Sequence, residues 1–216
     1  MTNTAMSLLL LSLFLLSMTT IAALHGVTLL ATTNAIMMMC VPLLGAATAT
    51  AFGYSSNVGN IFFATVMYGL SLKLILYGAA EAQEAVNNVL FALVIVFGSI
   101  FLLQEAHVLS PLFGTRVRIV GASFVSFWLV QSFFIILLER HAARQSILRV
   151  PLITIAMQAL DSAVFFPCAF AGDLPAGEVM QFALIGWLTK SAIAALSIPF
   201  LLCIPRPVQT NAAAKS

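Results

Sequence analysis

Four residues in the segment from Val150 to Gly172 place polar and aromatic side chains at helical spacing. They are separated by four, three and four positions, so a helix aligns them on one face: Thr154, Gln158, Asp161 and Phe165. An ionised carboxylate accepts two hydrogen bonds, and an amide both donates and accepts. The stripe therefore predicts recognition of a heterocycle that carries adjacent N–H groups.

Asp161 is the most informative member of the stripe because its surroundings are apolar. An ionisable side chain at bilayer depth costs roughly 2.5 to 3.5 kcal/mol on insertion scales, and such residues mark functional sites by default. The alternative is a polar cluster that only joins helices, with about 1 kcal/mol per hydrogen bond. Both interpretations remain open from the sequence.

Two further polar residues lie deep in apolar segments and are candidates for the same site. Lys190, in GWLTKSAIAALSIPF, is a plausible partner for Asp161, because pairing would lower the insertion cost of both charges. A purely structural ion pair is the alternative. Gln131, in GASFVSFWLVQSFF, supplies a second amide. Pro199 is predicted to free backbone carbonyls near the end of the lysine-bearing helix.

The composition indicates which kind of fold positions these residues. Hydrophobic residues make up 62% of the 216 residues and charged residues 7%, whereas soluble domains carry about 25% charged residues. The apolar residues fall in long unbroken runs. We therefore predict an all-α integral membrane protein in the lipid bilayer, a compact bundle of six to seven transmembrane helices forming a single transmembrane domain over residues 1–216.

The apolar runs give approximate helix limits. Seven helices are predicted, over residues 6–24, 27–51, 61–77, 89–103, 119–138, 150–172 and 179–204. Residues 52–60 are predicted to be a turn, 78–88 a polar segment at the interface, and 104–118 a connector. Residues 6–24 lack a preceding basic region and are expected to be a retained helix rather than a signal peptide. Lys73 is expected to snorkel to the interface.

The basic residues predict the orientation, because Lys and Arg of short loops stay on the cytoplasmic side. Three arginines lie between the fifth and sixth helices, and two basic residues lie in the short polar tail 206–216: Arg140, Arg144, Arg149, Arg206 and Lys215. The C-terminus is then cytoplasmic, and the loop with Asp173 and Glu178 faces outward. Arg116 and Arg118 conflict with this scheme, because they precede the fifth helix on the outer side.

The sequence offers little support for catalysis or for metal binding. GxxxxGK[ST], HExxH and GxSxG patterns are absent from it. The cysteines and histidines lack metal-ligand spacing: Cys40, Cys168, Cys203, His25, His107 and His141. We predict no enzyme activity, no metal and no cofactor. The net charge of +2 is too small to indicate a nucleic-acid partner.

Several motifs together resemble a known family of membrane proteins. They are NVGNIFFATVMYG followed by YGAAEAQEA, then RIVGASFVSFWLVQSFF, MQALDSAVFFPCAFAG and TKSAIAALSIPFLL. In order and spacing these segments are similar to the queuosine precursor transporter family, also called the vitamin uptake transporter family. The resemblance covers residues 52–202, a transporter core, and leaves residues 6–24 as a possible extra helix. The chain departs from the family pattern at Ser71 and Lys73, where members commonly carry acidic residues.

The resemblance implies import of a 7-deazaguanine, a precursor of a modified tRNA base, across the cell (inner) membrane by alternating access. Asp161 would then accept hydrogen bonds from the guanine-like N–H edge, with Lys190 beside it, while Gln158 and Gln131 read the carbonyl and ring nitrogens. Phe165 or Trp187 would stack on the ring.

Two other functions fit the same residues. One is a membrane sensor or assembly subunit whose polar residues only join helices, including helices of a second copy in a homo-oligomer. The other is the substrate-binding subunit of a larger ATP-driven importer.

Overall fold

The computed structural model describes residues 3–44, 47–51, 54–105, 114–141 and 149–204. In these ranges the chain forms eight helices and one two-stranded hairpin. In chain order they are α1 (Asn3–His25), α2 (Val27–Leu43), β1 (Thr48–Ala51), β2 (Tyr54–Asn57), α3 (Gly59–Tyr77), α4 (Ala79–Glu105), α5 (Gly114–His141), α6 (Arg149–Phe170), α7 (Ala176–Leu196) and α8 (Ile198–Leu202).

The helices are long and apolar enough for a membrane bundle. Six candidate membrane spans lie in the described residues, the last of them formed by α7 and α8 together. The 17 residues of α2 extend about 25 Å, slightly less than the hydrocarbon thickness of about 30 Å. The structure thus confirms an all-α integral membrane bundle of six to seven helices.

Helix α3 lies at the centre of the bundle. Within its candidate span 83% is buried, compared with 18% for α4, and it packs against α1, α2, α4 and α7. Phe63 lies against Phe127, and Gln131 donates a hydrogen bond to the sulfur of Met67. These contacts advance by four residues on both helices, so α3 and α5 run in the same direction. The ends of α3 and α5 therefore lie at the same end of the bundle.

The second predicted helix is wrong at its C-terminal end. It was expected to continue to residue 51, but α2 ends at Leu43 and residues from Thr48 begin an antiparallel hairpin. Gly45 follows the helix in sequence, and glycine is common just after helix ends. The β-branched Thr48 and Thr50 also favour a strand over a helix. Part of the predicted turn 52–60 is therefore strand β2 and the start of α3.

Helices α4 and α5 begin earlier than predicted. The polar segment 78–88 is not a separate interfacial stretch, because α4 starts at Ala79, directly after the positive-φ residue Gly78. Glu81 lies in its first turn, where a carboxylate interacts favourably with the helix dipole. Helix α5 starts at Gly114 rather than at residue 119, so the predicted connector is helical over its last residues.

The conflict over the arginines before the fifth helix has a structural explanation for Arg118. Its guanidinium donates hydrogen bonds to the carbonyl oxygens of Cys168, at 3.0 Å, and of Ala171, and to Asp173, at 3.2 Å. Carbonyls at the end of α6 would otherwise lack partners. Arg118 therefore lies beside the acidic loop and offsets the charge of Asp173.

The seventh predicted helix is interrupted near its end. Helix α7 ends at Leu196, and α8 begins at Ile198 with Pro199 in its first turn. Proline has no N–H to donate, and it is accommodated best in a first helical turn. The hydroxyl of Ser197 donates to the carbonyl of Ala194 at 2.7 Å. The expected local effect of Pro199 is thus a break between two helices.

Lys73 does not snorkel in the way the sequence predicted. Only 2% of it is exposed, and its ammonium lies 3.8 Å from Glu81 Oε2 at the start of α4. The predicted tail 206–216 and Arg144 fall outside the described residues.

Candidate functional site

Asp161 and Lys190 form an ion pair between α6 and α7. Lys190 Nζ contacts Asp161 Oδ2, and the exposed fractions of the two residues are 2% and 3%. The contact confirms the pairing that was predicted from the sequence. Removing either charge would leave the other buried without a partner, which is costly in a low-dielectric interior.

Two serines complete the polar contacts of this pair. Ser126 of α5 donates its hydroxyl to Asp161 Oδ1, and Ser162 of α6 accepts a hydrogen bond from Lys190 Nζ at 3.2 Å. The carboxylate therefore has a partner on each oxygen, from two different helices. This arrangement fixes the carboxylate between α5, α6 and α7.

Aromatic rings surround the ammonium of Lys190. Its Nζ lies 4.9 Å from the ring centre of Phe63 in α3 and 5.8 Å from that of Phe166 in α6. Both distances fall within the range in which a cation is attracted to the face of an aromatic ring. The two aromatic rings thus stabilise the ammonium in a region that is otherwise apolar.

A small cavity adjoins the pair. It is lined by residues of α2, α3, α5, α6 and α7 and of the hairpin: Val41, Asn57, Gly59, Asn60, Phe63, Ser123, Asp161, Phe165 and Lys190. Its volume is about 20 Å³, which suffices for about one water molecule. Pockets for small organic ligands measure roughly 300 to 1,000 Å³. The conformation is therefore closed around the pair.

The start of α3 reaches the cavity because the chain turns sharply after β2. Asn57 Oδ1 accepts a hydrogen bond from the backbone N–H of Gly59 at 2.6 Å, a local turn that asparagine favours. The amide of Asn60 donates to Ser56 Oγ at 3.4 Å.

A Cβ on Gly186 would lie 2.6 Å from the ring of Phe166. Glycine at that position thus permits α7 to approach α6 and α3 closely.

The predicted polar face of α6 is buried as expected, but its members differ in environment. Thr154, Gln158, Asp161 and Phe165 are all buried, and the Thr154 hydroxyl donates to Val150 O at 2.8 Å within the helix. Asp161 and Phe165 line the cavity. Thr154 lies outside the lining of this cavity.

The two predicted glutamines are buried without lining the cavity. Gln158 is fully buried, and both polar atoms of its side chain lack a hydrogen-bond partner among the residues that the structure describes. Gln131 is also fully buried, and within the same residues its carbonyl oxygen is unpaired. Unpaired buried amides cost free energy, so these groups are well suited to bind a ligand or water in another conformation.

Trp187 is not brought together with the other predicted residues. It lines an apolar groove between α6 and α7, and its indole N–H donates to Ile155 O at 3.2 Å. Ser162 also lines this groove while it accepts a hydrogen bond from Lys190. Ser162 therefore borders both the groove and the ion pair.

Sequence reasoning missed several cavity residues. Asn57 and Asn60 were placed in a turn, and neither Ser123, which lines the cavity, nor Ser126, which donates to Asp161, was among the predicted site residues. The signal that was available for Asn60 is an amide in the first turn of an otherwise apolar helix. Their convergence with Asp161 depends on contacts between distant helices.

Comparison with known proteins places the chain in a family. Residues 57–204 match the family model described as "Putative vitamin uptake transporter". The chain is also 25% identical over 176 residues to a "Probable queuosine precursor transporter" of Bacillus subtilis (strain 168), covering 75% of this chain and 77% of that protein. No solved structure matches. The matched region includes the Asp161–Lys190 pair and every cavity-lining residue except Val41, and the chain belongs to the vitamin uptake transporter family.

Proposed function

We propose that the protein imports a small nucleobase-like molecule of the 7-deazaguanine type by alternating access, and that Asp161 and Lys190 form the centre of its binding site. The observation that carries the proposal is the buried ion pair beside a polar cavity. A paired carboxylate and ammonium present an acceptor and a donor to one ligand. The description of the Bacillus subtilis relative supports the choice of substrate class.

Binding in this proposal replaces one ion pair by several ligand contacts. The N–H edge of the base donates to the carboxylate of Asp161, and Lys190 moves to the carbonyl oxygen of the base. Phe165 stacks on the ring, because it lines the cavity whereas Trp187 faces the groove. Gln158 and Gln131 turn their unpaired amide atoms towards the ligand.

The small size of the cavity supports the proposal of alternating access. A space of about 20 Å³ is too small for a bicyclic base, so the helices around the pair must separate to admit one. Alternation between openings on the two sides of such a closed centre is the usual behaviour of transporters. Residues 52–202 form the transport core in this proposal, with residues 6–24 added to it.

The orientation belongs to the same proposal. The ends of α3 and α5 lie at one end of the bundle, together with the start of α6, where Arg140 and Arg149 occur in sequence. Basic residues favour the cytoplasmic side. This end of the bundle and the C-terminus then face the cytoplasm of the cell, across the inner membrane.

The test is uptake of radiolabelled 7-aminomethyl-7-deazaguanine into proteoliposomes that contain the purified chain. We expect uptake by the wild type and at least about a tenfold loss with Asp161→Asn, because a hydrogen bond to a charged group contributes about 1.5 to 3 kcal/mol. Asp173→Asn is the matched control, since the same chemical change there affects an exposed loop. Unchanged uptake by Asp161→Asn would overturn the proposal.

The same assay separates the alternatives. A sensor or assembly subunit would show no uptake in the wild type. A subunit of an ATP-driven importer would transport only when an ATPase copurifies with it.

A further inference from the structure

A second polar cavity opens between α2, α3 and α4, away from the Asp161–Lys190 pair. Its volume is about 290 Å³, close to the lower limit of roughly 300 Å³ for pockets that bind small ligands. The polar residues in its lining are Thr28, Thr32, Lys73, Glu81, Glu84 and Asn88.

The ammonium of Lys73 lacks a hydrogen-bond acceptor in the part of the chain that the structure describes. Lys73 is 2% exposed, and its ionic contact with Glu81 Oε2 is 3.8 Å long, beyond hydrogen-bonding distance. An ammonium has three N–H groups, and Lys73 borders the cavity, where water or a ligand can reach it. This second cavity, called the cleft below, therefore contains a donor that requires an acceptor from water or from a ligand.

The charges of the lining narrow the chemistry of that ligand. Lys73 contributes one positive charge, and Glu81 and Glu84 contribute two negative charges. An anion would be repelled by the two carboxylates, and a bare metal cation would be repelled by the buried ammonium. A compact molecule that is neutral or singly positive, with an acceptor beside several N–H donors, satisfies both kinds of group.

The cleft lies far along α3 from the closed site. On α3, Phe63 borders the closed cavity and Lys73 the open cleft, and about 15 Å of helix separates them. The turns at Gly26 and Gly78 lie at the end of the bundle where the cleft opens, because Val27 and Glu81 belong to α2 and α4 directly after these glycines. A molecule leaving the closed site towards this end would meet a second carboxylate–lysine pair.

We infer that the cleft of Lys73, Glu81 and Glu84 is a second binding position for the transported molecule, occupied on the side opposite the hairpin before release or after entry. The inference rests on the proposed function. Lys73 donates to an acceptor of the ligand, while Glu81 and Glu84 accept from its N–H groups. Thr28, Thr32 and Asn88 supply the polar walls.

The test is protection of a cysteine from a maleimide reagent by 7-aminomethyl-7-deazaguanine, in the full chain with Cys40, Cys168 and Cys203 replaced by serine. Thr32→Cys places the thiol in the exposed wall of the cleft. Thr33→Cys, the next residue, lies outside the lining and is the matched control. We expect the ligand to slow labelling of Thr32→Cys and to leave labelling of Thr33→Cys unchanged.

Substitution of Glu81 or Glu84 by glutamine then tests whether these carboxylates contact the ligand. Glu81→Gln or Glu84→Gln should raise the ligand concentration needed for protection by about tenfold, as expected for a lost charge-assisted hydrogen bond. Glu84 is exposed, so its variant reports on binding even where Glu81→Gln lowers protein stability. Protection that neither variant weakens would overturn the inference.

The two proposals fail in different ways. If Asp161→Asn abolishes binding, and the ligand does not protect Thr32→Cys in a chain that keeps Asp161, the second position is overturned and the first stands. Protection at Thr32→Cys together with uptake that is insensitive to Asp161→Asn would overturn the first and support the second. A wild-type chain that does not bind the base overturns both.

Discussion

Two lysine–carboxylate pairs in this protein have opposite surroundings. The Asp161–Lys190 pair is buried on both sides, with a hydrogen-bonded partner on each carboxylate oxygen and a cavity of about 20 Å³ beside it. In the Lys73–Glu81 pair the lysine is buried, but the carboxylate side chain is 42% exposed and borders a cavity of about 290 Å³.

The difference shows how the same residue types serve different purposes. A carboxylate in contact with water loses little when its partner is removed, whereas a buried one is left without a counter-ion. In the proposed function, the first pair holds the closed bundle together and a ligand replaces its contacts. The second pair is already accessible to a ligand.

Removal of one charge from the Asp161–Lys190 pair should cause the largest loss of stability. We expect Lys190→Met to lower the free energy of unfolding by about 3 to 5 kcal/mol, because Asp161 stays buried without a counter-ion. Thermal unfolding in detergent measures the change. The double variant Asp161→Asn with Lys190→Met should recover much of the loss. A single variant as stable as the wild type would contradict the assignment of a closed, buried pair.

A substitution that disturbs the packing near the Asp161–Lys190 pair should lower stability by a smaller amount. In Gly186→Ala the new methyl group would lie 2.6 Å from the ring of Phe166, so we expect a loss of about 1 to 3 kcal/mol. Gly98→Ala is the control, because a Cβ there meets nothing within 4 Å. It should be neutral or stabilising by up to about 1 kcal/mol. Equal melting temperatures for the two variants would show that packing at Gly186 is loose.

In the Lys73–Glu81 pair, the two single substitutions should lower protein stability by different amounts. Glu81→Gln leaves the buried ammonium of Lys73 without its counter-ion, and we expect a loss of about 1 kcal/mol. Lys73→Met leaves a carboxylate that water can solvate, and the change should stay within about 0.5 kcal/mol. Chemical denaturation of both variants measures the difference. The reverse order would mean that Glu81, rather than Lys73, is the buried partner.

The exposed pair of Arg118 and Asp173 should give the smallest effect. Both side chains are more than one third exposed, and exposed ion pairs contribute about 0.2 to 1 kcal/mol. Asp173→Asn should therefore change the melting temperature little, and less at high salt. A large loss of stability would show that this pair supports the bundle.

The sequence predicted the class of fold and the centre of the site for physical reasons. Long apolar runs leave no alternative to membrane helices, and a carboxylate and an ammonium inside such runs need partners. The contact between Asp161 and Lys190 followed from that requirement. Whether these residues bind a substrate stays a prediction.

Other features depend on information that no local pattern carries. Thr48 begins a hairpin strand within an apolar stretch of helical length, although α2 already ends at Leu43. Ser126 and Asn60 reach the site through the packing of α3 and α5 against α6 and α7. Lys73 is near a helix end in sequence, yet the start of α2 and the turn into α4 bury it.

Ligand-induced thermal stabilisation tests the central claim most directly, because it needs neither a membrane nor a driving force. Ligand binding to the folded state raises stability by RT ln(1 + [L]/Kd). We expect 7-aminomethyl-7-deazaguanine to raise the melting temperature of the wild type and of Asp173→Asn equally, and that of Asp161→Asn clearly less, since only the proposed second position at Lys73, Glu81 and Glu84 remains there. An equal rise in all three proteins would contradict a binding site centred on Asp161 and Lys190.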